Sequence, residues 1–336
     1  MAKPQIKPDF DFIPLPLLNV GKVRETYKAD DKYLLIVTTD RISALDVVLK
    51  SKIPGKGIVL NQMSNFWMEK LAPNSNHIVD KDIESIARGI PALKPVSQRL
   101  KNRAILVKKL DMFPLECIVR GYFTGSVVKK YNEDNNGMLM GHDVGKGLVN
   151  WQKFPKGAIY TPSTKAELGL HDENITVAQA GEILNQNGYA GFGPGIELVS
   201  LKLFKDASEY ALGKGIVLID TKVELGREDE NIILGDEAFT PDSSRFVASD
   251  EYEKAFAEKR DPASLDKEPV RRLVRAMKKN YEGELPQQEL VLADEDIKNT
   301  VAGYTDVYFN LVGEDYNLSA ARQLYAIRSE TGVKSR

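Results

Sequence analysis

The sequence predicts an α+β fold, and three features of it carry that expectation. Segments 21–39 and 103–122 read as hairpins, helical spacing of apolar residues recurs at 60–71 and again between 176 and 213, and strands and helices do not alternate regularly, as a parallel α/β sheet would require. In order along the chain, VGKVRETYKADDKYLLIVTTD predicts a strand near 21–27, a turn at Ala29-Asp30-Asp31 and an apolar strand near 33–39. In LNQMSNFWMEKL, Leu60, Met63, Phe66, Trp67 and Leu71 fall on one helical face, which places Trp67 in a core. RAILVKKL and LECIVRGY flank Asp111-Met112-Phe113-Pro114 and read as a second hairpin. A helix is expected from Ser126 to about Gly137, then a polar loop, YTPSTKAELGLHDEN, then helices near 176–187 and 196–213. The strand IVLIDTKVEL, the charged turn GREDEN and the strand IILGD follow. Beyond about 261 the pattern is helical.

Composition narrows the function. Across 336 residues, 46 Lys and Arg face 48 Asp and Glu, a net charge of -2, without the basic excess expected of a nucleic-acid or membrane-surface binder. No segment is apolar and long enough for a membrane span, and the N-terminus lacks a signal-peptide pattern. The single Cys117 cannot form an internal disulfide and fits a reducing compartment, so a cytoplasmic location is expected. Cys117 alternates with Glu116 and Ile118 and reads as packed, not nucleophilic. Three separated histidines, His77, His142 and His171, do not suggest a structural zinc site, and His171 reads as a loop residue.

The most informative segment is GIVLIDTKVELGREDENIILGDEAFTPDSSRF. Side chains alternate along a strand, so Asp220, Lys222 and Glu224 share one face, and Ile219, Thr221, Val223 and Leu225 the other. With the turn centred near Glu230, Glu224 and Asp236 become cross-strand neighbours. Facing carboxylates repel unless a cation lies between them, which suits a Mg²⁺–ATP site. The alternative is a solvated strand face neutralised by Lys222. The run Arg227 to Glu230 reads as a solvated turn.

Phosphate has two candidate sites. GYFTGSVVKK places Thr124, Gly125 and Ser126 at a helix N-terminus, where free N–H groups attract anions; Arg120 on the preceding strand can add a bidentate guanidinium. An ordinary N-cap explains the same residues. VGKVRET sets one glycine beside basic residues in a hairpin, but it is neither a Walker A loop nor GxGxxG.

Taken together, these motifs resemble SAICAR synthetase. The segments that carry the resemblance are GKVRETY (21–27), TTDRISALD (38–46), GKGIVLNQMSNFW (55–67), PLECIVRGYFTGS (114–126), TPSTKAELGLHDENI (161–175), LIDTKVELG (218–226), GDEAFTPDSSR (235–245) and DKEPVRR (266–272), in the family's order. Leu45, Val247 and Glu268 depart from residues common there (Phe, Trp and Gln). The resemblance implies a small β-rich ATP lobe, a larger α+β lobe and a nucleotide cleft between them. The expected division is 1–110, 111–260 and a mainly helical 261–336 packed on the lobes.

It also implies an ATP-dependent ligase that condenses CAIR with L-aspartate to SAICAR, ADP and phosphate in purine biosynthesis. By motif, Glu224 and Asp236 would bind Mg²⁺; Arg120, Ser126 and Arg245 the CAIR phosphate; and Asp220 the CAIR ribose or ring. Lys222 would lie near the transferred phosphoryl group, with Asp220 and Lys222 as the catalytic pair. Lys22 and Arg24 would meet ATP phosphates, with Lys108 and Glu116 near the nucleotide. Asp40, Arg41, Ser43, Lys267 and Arg271 would take the aspartate. A monomer is expected, with a homo-oligomer as the alternative. Segment 161–175 could serve as a lid. Competing readings are a small-molecule kinase, which needs no amine site, and a non-catalytic nucleotide-binding module, against which the carboxylates at 224 and 236 argue.

Overall fold

In a computed structural model, residues 6–134, 136–165, 173–279, 281, 283 and 285–334 are described. The first third holds β1 (Leu17–Val20), β2 (Arg24–Lys28), β3 (Tyr33–Thr38), β4 (Arg41–Ala44), β5 (Val47–Lys52), α1 (Lys56–Leu71), β6 (Ile78–Asp80), the short helices α2 (Ile83–Gly89) and α3 (Ser97–Leu100), and β7 (Ala104–Lys108). An antiparallel sheet of order β1-β2-β3-β7-β6 forms here, and β4 and β5 make a separate ribbon.

The middle of the chain supplies β8 (Asp111–Met112), β9 (Leu115–Arg120), β10 (Tyr122–Phe123), α4 (Val127–Asp134), β11 (Met138–Leu139), β12 (His142–Asp143), β13 (Gln152–Lys153), β14 (Ile159–Tyr160) and β15 (Ser163–Thr164). Then come α5 (Val177–Gln186), α6 (Gly193–Leu212), β16 (Ile216–Glu228), β17 (Asn231–Gly235), β18 (Ser244–Ala248) and α7 (Ser249–Ala257). A second sheet is centred on β16, which pairs with β9, β17, β18 and β8. The chain closes with α8 (Glu268–Lys279), α9 (Asp294–Leu311) and α10 (Leu318–Glu330). The mixture of antiparallel sheets and helices is the expected α+β class. No helix among the described residues is long and apolar enough to cross a membrane.

Two expectations are corrected by the sheet topology. Strands β7 and β9 are not partners: β7 pairs with β3 and β6, whereas β9 pairs with β16. The intervening Asp111-Met112 joins β16 at Arg227 and Gly226, so this stretch crosses between sheets instead of turning a hairpin. Its two flanks are both apolar, and periodicity alone cannot say which partner each strand takes.

The second correction concerns the faces of β16. Opposite β18, Leu218 meets Phe246 and Asp220 meets Arg245, so Ile219 is the extra residue of a β-bulge. Ile216, Leu218, Val223 and Leu225 enter the main core, although Leu218 and Val223 differ in parity. Ile219 instead packs with Trp151, Val217 and Val247. The bulge reverses the alternation, and from Asp220 onward the ionisable residues point away from the core.

That core draws on the whole chain. Residues Ile58 to Met68 of α1 pack with α6, the β16 sheet and the inner faces of α9 and α10. Trp67 lies at its centre, with Phe66, Tyr210 and Phe239 at ring separations of 5.2, 5.5 and 5.5 Å. Cys117 is in the same cluster, and burial pushes its thiol up to about 11, as its packed reading requires. Asp40 supplies the N-terminal cap of α1, accepting a 2.8 Å bond from Gly57 N. A Cβ at Gly57 would lie 2.5 Å from the carbonyl oxygen of Thr38, so this approach needs glycine.

Trp67 joins three parts of the fold. Trp67→Ala is expected to destabilise the protein by about 3–5 kcal/mol, the range for truncating a buried aromatic side chain. Denaturant titration followed by circular dichroism should show an earlier midpoint; an unchanged midpoint would remove Trp67 from this role.

Candidate active site

Between the first sheet and β16 lies a cleft of about 500 Å³. One wall is the β1–β2 turn. Its backbone is held from below by Arg41, whose guanidinium donates to the carbonyls of Gly21 (3.1 Å) and Lys22 (3.2 Å) and pairs with buried Glu25 at 2.7 Å. The turn projects Lys22 and Arg24 into the cleft. Lys22 reaches Asp46 at 2.5 Å, while Arg24 pairs with Asp236 and, at 3.0 Å, with Glu237.

The opposite wall is β16 and the turn after β17. Lys222 pairs with Glu116 of β9 at 2.5 Å, and Glu224 pairs with Lys165. The expected register is off by one: Glu228 faces Asn231 across a two-residue turn, so Glu224 faces Gly235, not Asp236. The ladder ends there. Asp236 has a positive φ of 52°, outside the strand conformation, and its side chain lines the cleft with Glu224. Burial, reinforced by the charge of Glu224, raises the Asp236 carboxyl above its ordinary range despite Arg24. No group of three or more metal-ligating side chains occurs among the described residues. Two carboxylates lining the same cleft, with room for phosphate oxygens, are nevertheless a donor set that fits Mg²⁺.

A second cavity of about 290 Å³ opens beside the first. Arg120, Gly125, Ser126, Asp220, Arg245 and Arg275 line it. Buried Asp220 sits between two guanidiniums, pairing with Arg245 and, at 3.3 Å, with Arg120. Burial alone would raise its carboxyl, but Arg245 and Arg120 outweigh it and hold the group below the usual range. Arg120 also donates to Thr161 Oγ1 at 3.0 Å and Ser126 Oγ at 3.4 Å. Burial pulls its guanidinium down to about 10. Gly125 has a φ of 78°, and a Cβ there would lie 2.8 Å from the Arg245 guanidinium. The cavity is thus positively charged at the start of α4, where an anion is favoured. Leu45, Lys222 and Arg271 line both cavities, so the two meet at these residues.

The remaining sequence-predicted residues divide. Ser43, Lys267 and Arg271 line the cleft. Asp40 and Arg41, expected at the aspartate side, line neither cavity: Asp40 caps α1 and pairs with Arg103 at 3.3 Å, and Arg41 is 1% exposed with its donors used internally. Lys108, expected beside the nucleotide, is also outside the cleft, where it pairs with Glu228 at 2.7 Å. The charged turn is solvent-exposed, as expected, and carries two surface ion pairs, this one and Arg227–Asp111 at 2.8 Å. Residues 166–172 of the suggested lid, His171 among them, lie outside the described residues. Sequence reasoning missed Lys165, Glu237 and Asp242; each sits inside a motif used for the resemblance, but only the fold shows what it faces.

A cleft between two lobes, with basic residues on one wall and paired carboxylates on the other, belongs to the class of ATP-dependent carbon–nitrogen ligases once its relatives are considered. The family profile described as SAICAR synthetase matches residues 17–288. The phosphoribosylaminoimidazole-succinocarboxamide synthase of Lachnospira eligens is 42% identical over 307 residues, which is 90% of this chain and 96% of that protein. The enzyme of the same name from Candida maltosa is 39% identical over 301 residues, again 90% and 96%. The solved SAICAR synthase of Saccharomyces cerevisiae, in complex with SAICAR, superposes with a TM-score of 0.77 at 38% identity, covering 92% of this chain and 98% of that one. The chain belongs to the SAICAR synthetase family.

Beside the cleft, Asp266 is buried. Its Oδ1 accepts from Glu268 N at 2.5 Å, and its Oδ2 has no hydrogen-bond partner among the described residues. Burial raises its carboxyl to about 6, from an ordinary 3.8. The folded state therefore binds this proton more tightly than the unfolded chain, and the resulting stability is present below pH ~4 and lost as pH rises through about 6. Asp266→Asn mimics the protonated form. Its stability relative to the parent should rise by on the order of 2–3 kcal/mol between pH 4 and 7. Parallel denaturation curves of the two proteins across that range would disprove the shift.

Proposed function

We propose that this chain condenses the carboxylate of CAIR with the amine of L-aspartate, consuming ATP and releasing SAICAR, ADP and phosphate, as a step of de novo purine biosynthesis in the cytoplasm. The observation that carries the reading is the junction of the two cavities at Lys222 and Arg271. A nucleotide in the cleft and a sugar phosphate in the arginine-lined cavity would bring the γ-phosphate and the imidazole carboxylate together there. The family membership and the names of the relatives point to the same product. The single buried, unpaired Cys117 accords with a reducing compartment. We read 1–110 as the ATP lobe, 111–260 as the substrate and metal lobe and 261–336 as a helical part packed on both, functioning as a monomer.

The chemistry needs activation, because a carboxylate oxygen is a poor leaving group. In the proposed sequence a CAIR carboxylate oxygen attacks the γ-phosphorus, the bond to the β,γ-bridging oxygen breaks, and ADP departs. The aspartate amine then attacks the acyl carbon, and phosphate leaves with that carboxylate oxygen while the amine loses a proton. Lys222, held by Glu116, would stabilise charge on the transferred phosphoryl group; Lys22 and Arg24 would hold the nucleotide phosphates. Arg120, Ser126 and Arg245 would anchor the CAIR phosphate, and Asp220 both orients the two arginines and offers a hydroxyl acceptor. Glu224 and Asp236 would hold Mg²⁺, which would supply positive charge to offset that of the nucleotide phosphates. Ser43, Lys267 and Arg271 form the proposed aspartate end.

Removing either metal carboxylate should disable the same unit. Glu224→Gln and Asp236→Asn are each expected to cut turnover by more than about a hundredfold, and the double variant should lose little more. Near-normal turnover at saturating Mg²⁺ would remove these residues from the metal site.

The acyl phosphate has its own signature. CAIR carrying heavy oxygen in its carboxylate should pass one labelled oxygen to inorganic phosphate in each turnover, read by mass spectrometry at early times. Phosphate with oxygens only from ATP and bulk water would exclude this route even if SAICAR formed.

A further inference from the structure

Tyr304 lies on α9, beyond residue 288 where the family profile ends, yet its hydroxyl reaches the wall of the cleft. It donates to Asp242 Oδ1 at 2.5 Å, and Asp242 lines the cleft beside Lys267 and Arg271. The other oxygen, Oδ2, accepts from Lys56 Nζ at 2.7 Å. Lys56 and Tyr304 are both fully buried, with the ammonium 5.9 Å from the centre of the Tyr304 ring. Both carboxylate oxygens of Asp242 are therefore held from the interior.

Lys267 is left in a different state. Its Nζ lies 3.9 Å from Asp242 Oδ2, too far for a hydrogen bond, and has no hydrogen-bond partner among the described residues. A partly buried ammonium, 13% exposed, with unused donors facing a cleft has capacity for an incoming carboxylate. Burial, the dominant influence, lowers its pKa to about 8 despite Asp242, and an anionic ligand beside it would favour the charged form.

We propose that Tyr304 is a positioning residue for the amine-substrate end of the cleft. By holding Asp242 Oδ1, it keeps that carboxylate turned toward Lys56 and leaves Lys267 available to a carboxylate of the substrate. This rests on the reading that aspartate docks at Lys267 and Arg271. The position of Tyr304 is itself fixed from the C-terminus: Arg328 of α10 donates to Thr305 Oγ1 at 2.6 Å and to Asp306 Oδ1 at 2.7 Å. The last two helices thereby define one side of the substrate site without contacting substrate. Without the Tyr304 hydroxyl, Asp242 Oδ1 lacks its donor, and its cheapest replacement is the ammonium of Lys267.

The test is steady-state kinetics of the full chain, with aspartate, ATP and CAIR varied in turn. Tyr304→Phe keeps the ring and its packing and removes only the hydroxyl. Its KM for aspartate should rise about tenfold while the KM for ATP stays within about twofold, an internal control that the cleft is folded. In a Lys267→Gln background the same change should have little further effect, because Tyr304 acts through Lys267. An unchanged aspartate KM in Tyr304→Phe, equal losses for all three substrates, or full additivity with Lys267→Gln would overturn the proposal. If Lys267→Gln and Arg271→Gln both leave the aspartate KM unchanged, the assignment of the aspartate end fails, and the role of Tyr304 fails with it. A raised aspartate KM in Lys267→Gln with none in Tyr304→Phe rejects Tyr304 alone.

Discussion

Strand β16 is the constraint on which the site depends. Its backbone is paired on both edges, with β9 and β8 on one side and β17 and β18 on the other. A strand held this way cannot slip by one residue without moving Val223 and Leu225 out of the main core. The same alternation that buries those two fixes Asp220, Lys222 and Glu224 on the opposite side. The bulge at Ile219 allows one strand to do this while its first half packs with the reverse parity. Three ionisable groups are thus spaced along one rigid rail by apolar burial behind them, not by contacts among themselves.

The charges on that rail are balanced from separate parts of the chain. Asp220 is paired by Arg120 of β9 and Arg245 of β18, Lys222 by Glu116 of β9, and Glu224 by Lys165 after β15. Arg24 reaches Asp236 from the other sheet. Buried charges cost several kcal/mol each unless paired, so the partners are as necessary as the rail. Pairs that span the cleft, such as Arg24–Asp236, stand where phosphate and metal would act in the proposed chemistry. Such pairs link the two walls of the cleft through groups that a ligand can recruit. Arg41 and Asp40 serve the same site indirectly, one by pinning the β1–β2 turn and the other by starting α1.

Sequence alone determined the α+β class, the core role of Trp67 and Cys117 and the helices at α4, α5 and α6, and its ordered motifs singled out Lys222, Glu224, Asp236, Arg120 and Arg245 as candidates, which the fold then sets around two adjoining cavities. Each of these follows from local periodicity, from turn chemistry or from the ordered motifs, which are written along the chain. Tertiary structure decided which strands pair, because β7 and β9 are both mainly apolar and only the packed sheets distinguish their partners. It decided the bulge at Ile219 and the left-handed Asp236, since one inserted residue or one positive φ changes a face without changing the local pattern. It also separated Asp40, Arg41 and Lys108 from the cavities, because an Asp, Arg or Lys in a motif serves equally as a cap, a backbone clamp or an ion-pair partner. The contact of Tyr304 with Asp242 joins residues 62 positions apart, and no local signal encodes a hydrogen bond over that distance in the chain.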